Sequence, residues 1–131
     1  MNSGMEKREE VIGKAVVDAA VLVHRELGPG LLESVYEAVL AAELKHRGFS
    51  TKRQVPIRIE YRGAVFEEGF RADLLVEDLV LLELKSVERM NNAHKKQLLT
   101  YLKLTGMKLG FLLNFGAGLM RQGIVRTVNN L

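Results

Sequence analysis

The segment Leu79-Val80-Leu81-Leu82 is unbroken aliphatic sequence, and Leu84 extends it past an acid at position 83. Side chains on a strand alternate between two faces, so such a run is stable only where both faces are covered. The segment therefore reads as the central strand of a sheet that needs a layer on each side. Flanking patterns supply those layers. From Val11 to Leu27, the residues Ile12, Val16, Ala19, Val23 and Leu27 recur at the spacing of one helix face. Gly28 stops this helix and Pro29-Gly30 turns the chain. A second helix is predicted from Leu32 to Arg47, with Val35, Val39 and Ala42 beside Tyr36, Leu40 and Leu44, ended by Gly48.

Beyond Gly48 the period shortens to that of a strand. Val55, Ile57 and Ile59 alternate with polar neighbours, Arg62-Gly63 signals a turn, and Ala64–Val76 reads as a longer strand in which Gly69 marks a bulge. Glu77-Asp78 then turns the chain into the central strand. Asn91 or Asn92 caps a third helix that runs through Leu98, Leu99 and Leu102 to Gly106. Leu109–Phe115 is a further apolar strand, and Gly123–Val128 adds a short edge strand. Strand, helix and strand in succession imply a parallel, right-handed crossover that lays the third helix across one sheet face, while the first two helices cover the sheet elsewhere. The order is α-β-β-β-α-β behind an extra N-terminal helix, an α/β mixed sheet flanked by helices.

The chain has 131 residues, enough for one domain spanning 1–131. Its 47% hydrophobic and 27% charged residues fit an ordinary globule. The absence of cysteine removes thiolate nucleophiles, disulfides, iron–sulfur clusters and cysteine-based zinc sites. A net charge of +3 tolerates a polyanionic partner but falls well short of a basic tail, so charge says little about the partner. No apolar stretch approaches the ~18 residues of a membrane span, and Met1–Glu10 lacks the apolar middle of a signal peptide. The expectation is a cytoplasmic protein with no membrane partner.

Glu83 and Lys85 are the anomaly, because a strand buried on both faces carries two ionisable groups only for a reason. Two residues apart, they project from the same face. Asp73, on the preceding strand, is symmetric with Glu83 about Asp78. A three-residue turn pairs the two acids, whereas a two-residue turn sets Asp73 opposite Leu82 and sends the acids to different faces. Two facing carboxylates repel unless a divalent cation joins them, and hard oxygen ligands suit Mg²⁺ or Mn²⁺. Such an ion polarises a phosphodiester and acidifies an attacking water, with the Lys85 ammonium offsetting developing charge. The plainer alternative is a Glu83–Lys85 surface pair at a fraying strand end with Asp73 facing solvent.

The segment Gly30-Leu31-Leu32-Glu33-Ser34-Val35-Tyr36 reads G-x-x-E-x-x-Y. With Arg71-Ala72-Asp73-Leu74-Leu75-Val76, Glu83-Leu84-Lys85-Ser86, Gln97-Leu98-Leu99-Thr100-Tyr101-Leu102 and Gly110–Gly116, it resembles the GxxExxY proteins, a branch of the PD-(D/E)xK nuclease superfamily, from about Val11 to Val128. The resemblance implies a restriction-endonuclease-like αβββαβ core. It makes Asp73, Glu83 and the Leu84 carbonyl the metal ligands and Lys85 the catalytic lysine. Glu33 corresponds to a helical acid near the metal, and Gln97 with Tyr101 to a Q-x-x-x-Y element at the scissile strand. Ala72 stands where the superfamily's name has Pro, which touches no ligand.

Each residue also has a structural explanation. Glu33 suits the first turn of its helix, Tyr36 the core, and Gln97 with Tyr101 the packing of the last helix on the sheet. His94 reads as a surface or capping group, and His24 and His46 as helix exteriors. Arg71, Arg89, Lys95 and Lys96 are the candidates for nucleic-acid backbone contacts, while Lys45, Arg47, Lys52 and Arg53 read as solvated helix-end and loop charges. The functional expectation is a Mg²⁺-dependent nuclease acting on DNA, or on RNA. The alternatives are a catalytically silent nucleic-acid-binding or protein-interaction module on the same fold and a non-nucleic hydrolase, which lacks a G-x-S-x-G elbow here. A homodimer through the first helix would add surface for specificity.

Overall fold

In a computed structural model describing residues 6–131, α1 (Arg8–Leu27) and α2 (Glu33–His46) precede a meander of β1 (Thr51–Tyr61), β2 (Ala64–Val76) and β3 (Val80–Lys85). Helix α3 (Asn92–Thr105) leads to β4 (Leu109–Asn114), and a 3₁₀ turn at Met120–Gly123 leads to β5 (Ile124–Val128). The five strands lie in chain order with β3 central. β3 and β4 are parallel and the other neighbours antiparallel, the mixed sheet expected from the crossover. The first five residues of Met1–Glu10 lie outside the described residues. Among the described residues no helix is long and apolar enough to cross a membrane.

The two helical layers divide the core as the central run demands. Val80, Leu82 and Leu84 pack with Ile12, Val16 and Ala20 of α1 and Tyr36, Leu40 and Leu44 of α2. Leu81 packs on the opposite face with Leu98 and Leu102 of α3. Asn91 caps α3, its side-chain oxygen accepting from the His94 N–H at 3.2 Å, and Gly106 in the left-handed region ends it.

Two local departures from regular strand geometry fix the site. In the β2–β3 turn Glu77 and Asp78 both have positive φ, and the Leu79 N–H donates to the Val76 carbonyl across them. Leu79 is left out of the ladder, so the register runs Val76↔Val80, Leu75↔Leu81 and Leu74↔Leu82. The turn therefore has three residues, which puts Asp73 in line with Glu83. The second departure is at Gln54, which has φ 52 and sits in the gap between the Arg53↔Leu74 and Val55↔Ala72 pairs, opposite Asp73. Ideal alternation would put Leu74 and Ala72 on one face, yet Leu74 packs toward α1 and α2 and Ala72 toward α3. Both strands exchange faces at this pair, so the rest of the hairpin turns Val55, Ile57 and Phe70 toward α3.

Further along, the β1–β2 pairing shifts between Ile57↔Phe70 and Ile59↔Phe66, a bulge that contains Gly69 as expected. A Cβ on Gly69 would lie 2.0 Å from the Ile57 carbonyl oxygen, so only glycine fits. β1 begins at Thr51, not near Val55, so Lys52 and Arg53 are strand residues, and Arg53 pairs with Glu37 at 2.9 Å. His24 is not on a helix exterior: it is buried, with its ring Nε2 2.8 Å from the Ala117 carbonyl, because the loop after β4 folds over the end of α1.

Candidate active site

Glu83 and Lys85 emerge on the α3 face of β3, at the strand's end. The Lys85 carbonyl accepts from the Phe115 N–H at 2.8 Å, so this end is pinned to the residue after β4. The β2–β3 ladder stops at Leu74↔Leu82, and beyond it the Asp73 side chain takes the place of the next backbone acceptor: its Oδ2 accepts from the Leu84 N–H at 2.8 Å. Asp73 thus reaches across from β2 to the strand that carries Glu83.

The electrostatics follow from this juxtaposition. Burial, reinforced by the negative charge of Asp73, pushes the Glu83 carboxyl up to about 9, against a weaker downward pull from Lys85. Glu83 Oε1 is buried with no hydrogen-bond partner. Tyr101 belongs to the same group of side chains. Its phenol is raised above its ordinary value first by burial and then by the charges of Glu83 and Asp73, with Gln97 partly offsetting them. The Tyr101 ring stacks on Phe70 at 3.5 Å between centroids and 3° between planes, which fixes α3 against the kinked hairpin. Asp73, Glu83, Lys85, Gln97 and Tyr101 therefore converge on the α3 face.

The Gly-x-x-Glu-x-x-Tyr segment lies at the same end of the sheet. Tyr36 is fully buried and stacks on Phe115 at 4.5 Å. Its hydroxyl donates to the Gly28 carbonyl at 2.5 Å and accepts from the Leu31 N–H at 3.1 Å, locking the α1–α2 turn. The Ser86 hydroxyl donates to the Leu31 carbonyl at 2.8 Å, tying that turn to the residue after Lys85. Tyr36→Phe keeps the stack but leaves both backbone groups without a partner. It should cost about 1–2 kcal/mol, read as a lower urea midpoint; an unchanged midpoint would show that the turn does not depend on the phenol.

Glu33 is exposed in a shallow pocket with Leu31, Leu32, Ser34 and Ser86, one residue beyond Lys85. The helical acid tied directly to Asp73's surroundings is Glu37, one turn along α2, which sequence reasoning missed. It is buried and accepts from Arg53 Nε at 2.9 Å and Gln54 Nε2 at 2.5 Å. The same Gln54 amide donates to Asp73 Oδ1 at 3.3 Å. An acid one helical turn beyond the motif glutamate was the available signal. Of the basic candidates, Arg71 donates to the Gln54 carbonyl at 3.2 Å. Arg89 and Lys95 share a pocket with Gln122 and Asn114, next along the sheet from Lys85, and Lys96 is exposed.

A family model of the PD-(D/E)XK nuclease superfamily matches residues 10–127. The chain belongs to that superfamily. No curated protein and no solved structure gives a significant match. The five-stranded mixed sheet with its three helices is the α/β restriction-endonuclease-like fold, here with an N-terminal helix, and the assignment supports a nuclease-type function. PD-(D/E)XK nucleases generally use divalent metal ions, and the residues fit one. A buried carboxylate oxygen without a partner, facing a second carboxylate, is what a hard cation satisfies. Among the described residues no three His, Cys, Asp or Glu side chains gather into a group that could hold a metal ion.

Proposed function

We propose that this member of the superfamily, of the GxxExxY branch, is a Mg²⁺- or Mn²⁺-dependent phosphodiesterase acting on DNA, with RNA the second substrate class. The observation carrying this reading is the facing of Asp73 and Glu83 around an unpartnered buried oxygen, with Lys85 on the same face. Asp73, Glu83 and the Leu84 carbonyl are the ligand set. A divalent ion there supplies Lewis acidity toward a phosphodiester and lowers the pKa of water. The chain's own groups do the rest. Lys85 places a positive charge where negative charge develops on phosphate. Gln97 and Tyr101 orient the scissile strand from α3, and Glu33 adds a negative charge at the site's rim.

Arg71, Arg89, Lys95 and Lys96 bind backbone phosphates, contacts that carry no sequence information and weaken with salt. The test is cleavage of end-labelled single- and double-stranded DNA and of RNA with Mg²⁺. Wild type should cleave and EDTA should abolish cleavage, and Asp73→Asn should slow it by about 10²-fold or more. Cleavage that survives EDTA, or a wild type inert on all three substrates, would overturn the hydrolytic assignment.

A further inference from the structure

We infer that Gln54 is a positioning residue that orients Asp73 for the cation; this rests on the reading of Asp73 and Glu83 as its ligands. Backbone and side chain both point to this role. Its backbone is left-handed, φ 52, inside a strand, a conformation uncommon for non-glycine residues and one in which Gln is not favoured. Such strain persists where surrounding structure over-determines it, and it concentrates at functional sites. Here the holding contact is visible: Arg71 Nη1 donates to the Gln54 carbonyl at 3.2 Å from the opposite strand.

The consequence is that strands β1 and β2 exchange faces at this pair, which sends Asp73 toward β3 and away from either core. The side chain completes the arrangement. Its Nε2 donates to Glu37 Oε1 and to Asp73 Oδ1, while Asp73 Oδ2 is held by the Leu84 N–H. Both oxygens of Asp73 are thereby oriented, one from β1 and one from β3. Glu37 in turn is anchored by Arg53, so the Gln54 amide hangs from a fixed point on α2. Groups that orient a metal ligand in this way typically govern affinity by 10–100-fold.

Two variants separate the amide from the backbone. Gln54→Gly keeps the left-handed conformation without strain and deletes the amide; Gln54→Met keeps the length and deletes the amide. Each is titrated with Mn²⁺ by calorimetry beside wild type, with a thermal scan to show that it is folded and a paramagnetic resonance spectrum of the bound ion. The expected result is a 10–100-fold weaker Mn²⁺ affinity in every folded variant, with an altered spectrum at saturation. Wild-type affinity in either folded variant overturns the inference, as does weaker binding with an unchanged spectrum. A wild type that binds no Mn²⁺ instead overturns the underlying assignment of the ligands.

Discussion

Lys85→Ala is expected to lower the rate of Mg²⁺-dependent cleavage by about 10²–10³-fold while leaving Mn²⁺ binding largely intact. The residue sits at the end of β3, where its carbonyl is fixed by the Phe115 N–H, so the ammonium is carried on a rigid base and not on a loop. Its charge acts on Glu83 in the direction of ionisation, yet burial and Asp73 outweigh it. Removing it therefore spares the two carboxylates proposed to bind the ion and deletes the positive charge available to a developing phosphate charge. Lys85→Arg should restore little, because a planar guanidinium presents its donors in a different geometry from a compact ammonium. Cleavage on labelled DNA and calorimetric Mn²⁺ titration of the same preparations decide the matter. Loss of both would make Lys85 a structural prop of the strand end, and loss of neither would locate hydrolysis elsewhere.

The elements that carry strong periodicity were legible in the sequence. The run at Leu79–Leu84 required two covered faces, and α1 with α2 on one side and α3 on the other provide them. The acid pair was legible conditionally, since the symmetry of Asp73 and Glu83 about Asp78 depended on turn length. That length is set by left-handed Glu77 and Asp78 together with an omitted Leu79, and no residue preference announces the omission. Asp73 also does not obey simple alternation: it sits at the point where β2 changes face. The cause lies at Gln54 on another strand, and glutamine carries no signal for positive φ. Glu37 carries no signal beyond its spacing from Glu33 and Arg53 reads as a solvated loop charge, because a charged residue on a helix or near a strand start ordinarily faces water, and only their tertiary pairing buries the acid. His24 was misread because its burial depends on a loop 93 residues away in sequence.

Glu83→Gln should stabilise the metal-free protein at alkaline pH and remove its response to cations. In the folded chain the Glu83 carboxyl stands at about 9, far above its ordinary value, because it is buried and faces Asp73. The folded state then binds this proton more tightly than the unfolded state does. Below the ordinary carboxylate range both states hold it and nothing is lost. As pH rises toward 9 the unfolded chain releases its proton while the folded one must keep it or bury a charge, so folding stability drains across that window. A neutral glutamine of the same shape escapes the drain. Thermal or urea unfolding in EDTA should show the variant and wild type equal near pH 4 and diverging by on the order of 2 kcal/mol by pH 8.5, after allowance for solvent screening at a partly exposed group. Adding Mn²⁺ reverses the ranking. A cation that binds only the folded state stabilises wild type by about 2.7 kcal/mol at a hundred times its Kd, and it displaces the proton so that the gain grows with pH. The variant, short of one ligand charge, should gain far less. A pH-independent gap between the two proteins would mean that Glu83 ionises like a surface acid, and the pocket that pairs it with Asp73 would not exist in solution.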